Sequence, residues 1–138
     1  MREILFRGKR LDNGEWVEGY LIKQDIPEYH CYIVVSFKAE QDNRHTDILE
    51  CDIFEVVPET IGQYTGLCDK NGKKIFEGDR IEIRGYVYCC CWDAGNLEFT
   101  LVNEKESIQM GYAAPSRMTV IGNVHDNPER LEVDNGKA

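Results

Sequence analysis

Two Asn-Gly dipeptides, at residues 13–14 and 71–72, constrain most strongly what this chain can fold into. Each lies between runs that are rich in β-branched and aromatic residues. Asn and Gly tolerate the positive φ angles of a type I′ turn, whose twist matches that of antiparallel strands. The sequence therefore predicts two β-hairpins, the first of which pairs residues 4–12 with residues 15–23.

A two-residue turn at Asn71-Gly72 predicts the register of the second hairpin. It places Asp69 opposite Lys74 and Leu67 opposite Phe76. The opposite charges of the first pair contribute about 0.2–1 kcal/mol. The register therefore predicts a hairpin that becomes apolar beyond its charged tip.

The rest of the chain continues the β pattern. Further strands are predicted at residues 30–37, 54–57, 80–92, 97–102 and 118–124, whereas the polar run at 38–47 predicts a loop. No segment shows sustained 3.6-residue periodicity, and Asn127-Pro128 predicts only a short helical turn. The predicted fold is therefore mainly β, a short-stranded barrel or roll with an N-terminal β-hairpin region and a short C-terminal helical turn.

The net charge of the chain limits the classes of partner that it is expected to bind. A chain of 138 residues has the size of one domain, and its formal net charge of −9 repels phosphate backbones and anionic lipid heads. Arg2, Arg7, Lys9 and Arg10 form a local basic cluster, which we interpret as a solvated strand face in preference to a nucleic-acid surface. Because no signal-like or membrane-spanning apolar run occurs, we expect a cytoplasmic protein without a membrane partner.

The six cysteines are expected to stay reduced, since no pair has Cys-x-x-Cys spacing. In a strand, Cys89 and Cys91 point to one side and Cys90 to the other. A buried cysteine is most often a small apolar side chain, and this is the interpretation we prefer. The alternative is a soft metal site in which Cys89 and Cys91 are joined by His125 or by another cysteine. No phosphate loop or metal-binding motif is present, so no cofactor and no metal are predicted.

Three stretches resemble the signature of the YopX family. They are "ILFRGKRLDNGEWVEGYL", "IGQYTGLCDKNGKKIFEGDRIEI" and "VIGNVHDNPERLE", at residues 4–21, 61–83 and 120–132. The resemblance implies a phage or prophage protein in a bacterial host cell. It brings no catalytic residue and no known biochemical role.

The resemblance also implies a domain organisation. It suggests a single domain over residues 1–132, in which residues 1–57 form a β region and residues 58–132 form an SH3-like part. Residues 133–138 are expected to form a flexible tail.

Two groups of residues are candidates for a functional site. Glu77, Asp79 and His125 carry the groups of an acid/base pair, because two carboxylates in a dry pocket can share that role. A Gly-Asp before a strand is also a common structural corner, which is the interpretation we prefer. Exposed aromatic residues of an SH3-like surface hold extended peptides, and the candidates for such a surface are Trp16, Tyr64 and Trp92.

These features favour a non-catalytic protein that acts by binding a host or phage protein, or by self-association. No catalytic residue is assigned, because the common hydrolase and metalloprotease motifs are missing. Two alternatives stay open. One is a nucleic-acid-binding accessory factor that uses the basic cluster, and the other is a hydrolase or nuclease around Glu77, Asp79 and His125.

Overall fold

The computed structural model describes residues 3–41 and 46–128, and only the backbone within residues 36–40 and 46–50. Antiparallel strands dominate this part of the chain. The strands are β1 (Phe6–Lys9), β2 (Trp16–Gln24), β3 (His30–Gln41), β4 (Thr46–Val56), β5 (Gly62–Cys68), β6 (Lys74–Phe76), β7 (Asp79–Ile83), β8 (Tyr86–Asp93), β9 (Glu98–Val102), β10 (Ser107–Gln109) and β11 (Thr119–Asn123). Short 3₁₀ turns span Pro58–Thr60, Met110–Tyr112 and Pro115–Arg117.

The chain divides into two compact units, Glu3–Gln63 and one that begins at Tyr64. In the first unit the strand order is β4-β3-β2-β1 followed by the first residues of β5, and all neighbours are antiparallel. Val57 N also donates a hydrogen bond to Lys9 O at 2.9 Å. The end of β4 therefore bonds to the end of β1.

The first hairpin forms where the sequence predicts it, but its turn is longer. Arg10 N donates to Glu15 O at 2.8 Å, so the loop comprises residues 11–14. The prediction of a type I′ turn is wrong, because Gly14 has a positive φ of 74° and Asn13 does not. Asn13 Oδ1 instead accepts a hydrogen bond from Glu15 N at 2.9 Å, a local bond that stabilises the wider loop.

Strands β3 and β4 form a hairpin that is longer than the sequence predicts. Their register continues from Lys38 opposite Glu50 to Gln41 opposite Thr46. The prediction of a loop over residues 38–47 is therefore wrong at both ends. Polar side chains mislead here, because the hydrogen bonds between strands come from the backbone and do not require apolar residues.

Alternate residues of β3 supply the core of the first unit. Cys31 and Ile33 pack with Val56, and each of these side chains is 1% exposed or less. The partly buried side chains around them are Phe6, Val17, Leu21 and Ile61. Gly19 approaches the carbonyl oxygen of Val34 so closely that a Cβ would overlap it, which explains a glycine inside β2.

The second unit contains an antiparallel sheet of order β10-β9-β8-β7-β11 and the short pairing of β5 with β6. Ile81 is fully buried and Ile83 packs at the margin of the core, which confirms the predicted alternation along β7. The buried core residues are Ile75, Ile81, Tyr88, Cys90, Leu101, Met110 and Met118.

The second hairpin also has a longer turn than predicted. Asp69 N donates to Lys73 O at 2.8 Å, so Asp69 lies opposite Lys73 and the predicted pairing with Lys74 is wrong. The loop comprises residues 70–72. Asp69 Oδ1 accepts hydrogen bonds from the backbone N of Asn71 at 2.8 Å and of Lys73 at 2.9 Å, and these bonds stabilise the longer loop.

The prediction of a mainly β fold is confirmed. Within residues 3–41 and 46–128 the sheets do not close into a barrel. The same residues contain no helix that is long and apolar enough to cross a membrane. The helical turn predicted after Asn127-Pro128 extends, with the tail at 133–138, into residues outside the described part of the chain.

Candidate functional site

A tight turn joins β7 to β8 and displays an arginine. Ile83 lies opposite Tyr86, so the turn consists of Arg84 and Gly85. Both residues have positive φ angles, 54° and 85°, the combination that defines a type I′ turn. Glu82 Oε2 accepts a hydrogen bond from Gly85 N at 3.0 Å. The geometry predicted at two Asn-Gly dipeptides therefore occurs at a position that no asparagine signals.

The segment between β10 and β11 carries two 3₁₀ turns, Met110–Tyr112 and Pro115–Arg117. Met110 and Met118, at its two ends, are 4% and 0% exposed and belong to the core. Tyr112, between them, is 84% exposed. The anchored ends therefore hold an exposed aromatic side chain on a short, constrained segment.

These two elements line a groove with a volume of about 370 Å³. We call it the tyrosine groove, and its defining side chains are Tyr86, Tyr88, Tyr112, Arg84, Arg117 and Glu106. Tyr88 Oη donates a hydrogen bond to Glu106 Oε2 at 2.6 Å. Burial and this carboxylate raise the pKa of Tyr88 to about 12, so the hydroxyl stays protonated and keeps its bond.

In the tyrosine groove the acidic side chain has a hydrogen-bond partner, whereas the two arginines form no ion pair with the described residues. The carboxylate of Glu106 is engaged by Tyr88. Arg84 and Arg117 form no ion pair within 4.0 Å with any carboxylate in the part of the chain that the structure describes. A chain of net charge −9 therefore presents two available guanidinium groups at one groove, and such groups bind carboxylates in a two-pronged geometry.

Glu77, Gly78 and Asp79 form a corner that leads into β7. Asp79 is 1% exposed, and its Oδ2 accepts a hydrogen bond from Phe76 N at 2.8 Å. Gly78 has a φ of 95°, and its carbonyl accepts a hydrogen bond from Val124 N at 2.9 Å. The glycine and the aspartate therefore make the contacts that shape the corner.

His125 lies beside this corner, in a turn that Asn123 organises. The register of β11 sets Asn123 opposite Asp79. Asn123 Oδ1 accepts hydrogen bonds from the backbone N of His125 at 2.9 Å and of Asp126 at 2.8 Å. The fold therefore brings Glu77, Asp79 and His125 to one corner of the second unit. Asn123 was missed as a turn residue, because it lies inside the strand predicted at residues 118–124.

Cys89 and Cys91 share one face of β8, and Cys90 faces the core, as the strand period predicts. Cys90 is 0% exposed, and its Sγ lies 3.8 Å from Met110 Sδ. The Sγ atoms of Cys89 and Cys91 lie 3.4 Å apart. The hydrogen bond between the two thiols lowers the pKa of Cys91 to about 7, although burial and the charge of Glu77 oppose the shift. The same bond, together with burial, raises the pKa of Cys89.

The three aromatic candidates differ in accessibility. Trp92 is 45% exposed and packs against Phe99 with the ring centroids 5.0 Å apart. Tyr64 is 8% exposed and contributes little surface. Trp16 is partly buried, and the guanidinium carbon of Arg7 lies 4.6 Å from the centre of its ring. Trp92 is therefore the most accessible of the three side chains.

The basic cluster near the start of the chain is engaged within the first unit. Arg7 is 8% exposed and stacks on Trp16. Arg10 donates two hydrogen bonds to the carboxylate of Asp12, at 3.0 and 2.7 Å. Arg2 lies outside the described residues. These contacts weaken the support for a phosphate-binding surface at this cluster.

No metal centre is assembled in the described part of the chain. Within it, no three His, Cys, Asp or Glu side chains gather closely enough to hold a metal ion. The alternative ligand set, Cys89 and Cys91 with His125 or another cysteine, is therefore not brought together as a three-ligand site within the described residues.

The tyrosine groove was not found from the sequence. Tyr86 and Tyr88 lie within the strand predicted at residues 80–92, and the strand pattern does not distinguish a groove residue from a packing residue. Tyr112 lies in a segment without any recognised pattern. The available signal was Arg84-Gly85 between two alternating runs, because a glycine there permits a tight hairpin turn.

The fold and the groove define a mainly β protein of antiparallel sheets with an aromatic, arginine-flanked binding groove. The chain belongs to the YopX family, because the family model, described as YopX protein, matches residues 5–132. The resemblance seen in the sequence is thereby confirmed.

Solved structures support the fold. The chain is similar to protein EF1440 from Enterococcus faecalis, with a TM-score of 0.66 and 24% identity over 96% of this chain and 100% of that chain. At this identity the likeness concerns the fold alone. No curated protein matches the chain.

Proposed function

We propose that this chain is a non-catalytic, phage-associated protein of the bacterial cytoplasm that binds an acidic segment of a partner protein in its tyrosine groove. The observation that carries the proposal is the combination of three tyrosines and two arginines around a cavity of about 370 Å³. The phage association and the compartment rest on the family resemblance.

The aromatic lining of the groove supports an extended peptide as its occupant. Tyr86 is 43% exposed and Tyr112 is 84% exposed, so both rings are accessible to a ligand. Tyrosine combines a rigid apolar ring with a hydroxyl that forms hydrogen bonds, and it is enriched where binding energy concentrates. Aromatic-lined grooves of SH3-like domains bind extended segments in this way, which also fits our proposal that residues 58–132 are an SH3-like part.

The charges of the groove support an acidic occupant. Arg84 and Arg117 stand at a groove whose acidic side chain, Glu106, is already bonded to Tyr88. Positive groups at the rim of a binding site attract acidic partners and accelerate association. They also repel basic segments, so the arginines contribute to specificity.

A peptide-display selection on the full chain tests the proposal. We expect the enriched peptides to be acidic, and we expect synthetic copies to bind more weakly at high salt. The Arg84→Glu/Arg117→Glu double variant removes the two ion pairs proposed with the acidic peptide and adds repulsion, so the Kd measured by fluorescence anisotropy should rise about tenfold or more. Tyr112→Ala should also weaken binding, and its side chain is too exposed to destabilise the fold.

A control for negative charge added outside the groove is Lys70→Glu, since Lys70 is an exposed cation of the same unit at the tip of the β5–β6 hairpin. This variant should bind like the unmodified chain. The proposal is refuted if no acidic peptide is enriched, or if the double arginine variant binds as tightly as Lys70→Glu.

A further inference from the structure

We propose that Cys89 and Cys91 form a two-thiol site that binds one soft atom through both sulfur atoms. The two bonds from sulfur meet at that atom at a bent angle, and its remaining ligands come from the bound compound. A trivalent arsenical is the chemical class that fits this description. The site is independent of the tyrosine groove, and its test does not depend on the proposed function.

The two thiols are held in place by a paired strand. β8 lies between β7 and β9 in the sheet, and Cys89 is paired with Arg80 on one side and with Val102 on the other. Cys91 is paired with Thr100 of β9. The two ladders fix the backbone, so the Sγ atoms meet at 3.4 Å without any rearrangement of the chain.

The distance between the sulfur atoms selects a bent centre. With a bond of about 2.3 Å from each sulfur to the bound atom, as in zinc thiolates, the separation of 3.4 Å subtends an angle of about 95° at that atom. A two-coordinate linear ion would need the sulfur atoms roughly 4.6 Å apart at this bond length. A pyramidal atom such as trivalent arsenic, which forms three bonds at bent angles, therefore fits without separating the thiols.

A direct disulfide fits the strand less well. Residues i and i+2 of a β-strand have Cα atoms about 6.5 Å apart, close to the upper end of the about 4.4–6.8 Å that disulfides span. A bridging atom accommodates this spacing because it lengthens the link between the two sulfur atoms. Extended strand geometry thus favours a bridged dithiol over an oxidised pair.

The electrostatic surroundings suit formation of a thiolate at Cys91. The hydrogen bond between the two thiols lowers the pKa of Cys91, whereas the same bond and burial raise the pKa of Cys89 against the opposing charge of Arg80. Glu77 opposes ionisation of Cys91. Both thiols are partly exposed, so a small reagent can reach them.

Phenylarsine oxide is the probe for this site. Its reaction with the pair is a condensation without oxidation or reduction. The As=O bond breaks, two As–S bonds form, and the two thiol protons leave with the oxygen as water. The product is a protein with one phenylarsenic group, which intact-mass spectrometry detects directly.

We expect one phenylarsenic group per chain that resists an excess of a monothiol such as 2-mercaptoethanol, because two bonds to one arsenic survive competition that a single bond does not. Cys89→Ser and Cys91→Ser should each lose this resistant adduct. Cys51→Ser is the control, since Cys51 is exposed and belongs to the first unit, and it should keep the adduct. Cys90 is a poor control because it is fully buried in the core.

A second measurement needs no variant. Phenylarsine oxide added before iodoacetamide should protect Cys89 and Cys91 of the unmodified chain from alkylation, and it should leave Cys51 reactive. The proposal is overturned if the unmodified chain forms no resistant adduct. It is also overturned if either single variant keeps the adduct, or if Cys89 and Cys91 are alkylated as fast with the arsenical as without it.

Discussion

The sharpest prediction concerns Asp69, whose carboxylate joins the β5–β6 hairpin to β11. Asp69 is 6% exposed. Its Oδ1 accepts hydrogen bonds from Asn71 N and Lys73 N at 2.8 and 2.9 Å, and its Oδ2 accepts one from Val120 N at 2.9 Å. Replacing Asp69 with alanine leaves three backbone donors without this acceptor, so the second unit should lose stability.

The magnitude follows from these three bonds. A hydrogen bond to a charged group contributes about 1.5–3 kcal/mol, but the contributions of neighbouring bonds are not additive. The amides of Asn71 and Lys73 lie near the tip of a hairpin and can bond to water, whereas the amide of Val120 is in a strand. We therefore expect Asp69→Ala to lower the free energy of unfolding by about 2–4 kcal/mol. Asp69→Asn keeps one acceptor oxygen and should cost about half as much.

Urea unfolding followed by tryptophan fluorescence measures this loss of stability in the second unit. The chain has two tryptophans, and they belong to different units, Trp16 to the first and Trp92 to the second. In a Trp16→Phe background the signal comes from Trp92 alone. Asp25→Asn, a change at an exposed aspartate of the first unit, is the control and should leave the Trp92 transition within about 0.5 kcal/mol.

The pH dependence gives a second check on Asp69. Burial raises its pKa, but the hydrogen bonds from Val120, Lys73 and Asn71 outweigh burial and lower it overall. A lowered pKa means that the carboxylate stabilises the fold above its unfolded pKa of about 3.9, and that this stability is lost as the pH falls through the folded pKa. The difference between the unmodified chain and Asp69→Asn should therefore be full at neutral pH and shrink in acid. A difference below about 0.5 kcal/mol, or one that does not change with pH, would refute the reasoning.

Two further predictions concern the first unit. Gly19→Ala should destabilise it by about 1–3 kcal/mol, because the new Cβ meets the backbone carbonyl of Val34, which cannot move without disturbing the β2–β3 ladder; a urea midpoint equal to that of the unmodified chain would contradict this. The Glu55 carboxylate, 2.6 Å from His30 Nδ1, raises the pKa of that histidine. His30→Gln should therefore cost stability below the unfolded pKa of about 6.5, and the cost should fade as the pH rises through the folded pKa. Urea midpoints measured across this pH range check the prediction, and a constant cost argues against it.

Local sequence signals predicted the strands better than the turns. The two-residue period correctly placed Ile81 in the core and separated Cys90 from its neighbours, because side-chain alternation depends only on the extended backbone. The turn types were wrong, because Asn13 and Asp69 use their side chains to bond nearby amides and so favour longer loops. The loop length depends on which local hydrogen bonds the side chain forms, and a dipeptide pattern does not determine that.

The tyrosine groove could not be predicted for a different reason. Its walls come from the β7–β8 turn and from residues 110–117, which are separated by more than twenty residues of sequence. Each tyrosine alone is consistent with strand packing, and the groove exists only once Met110 and Met118 are seated in the core. The corner at Asp79 was accessible to prediction, because a glycine before an aspartate is a local signal.

The bond between Asp69 and Val120 also bears on how the chain is made. The two residues are 51 positions apart, so the carboxylate cannot reach its strand partner until residue 120 has left the ribosome. Closing a loop of that length costs about 3–4 kcal/mol of chain entropy. The contact with β11 must offset this cost. During synthesis the Asp69 carboxylate is therefore expected to stay exposed to water until residue 120 emerges, and a pause in translation before that residue would prolong the exposure. The second unit is expected to complete its folding only after this late stretch has emerged.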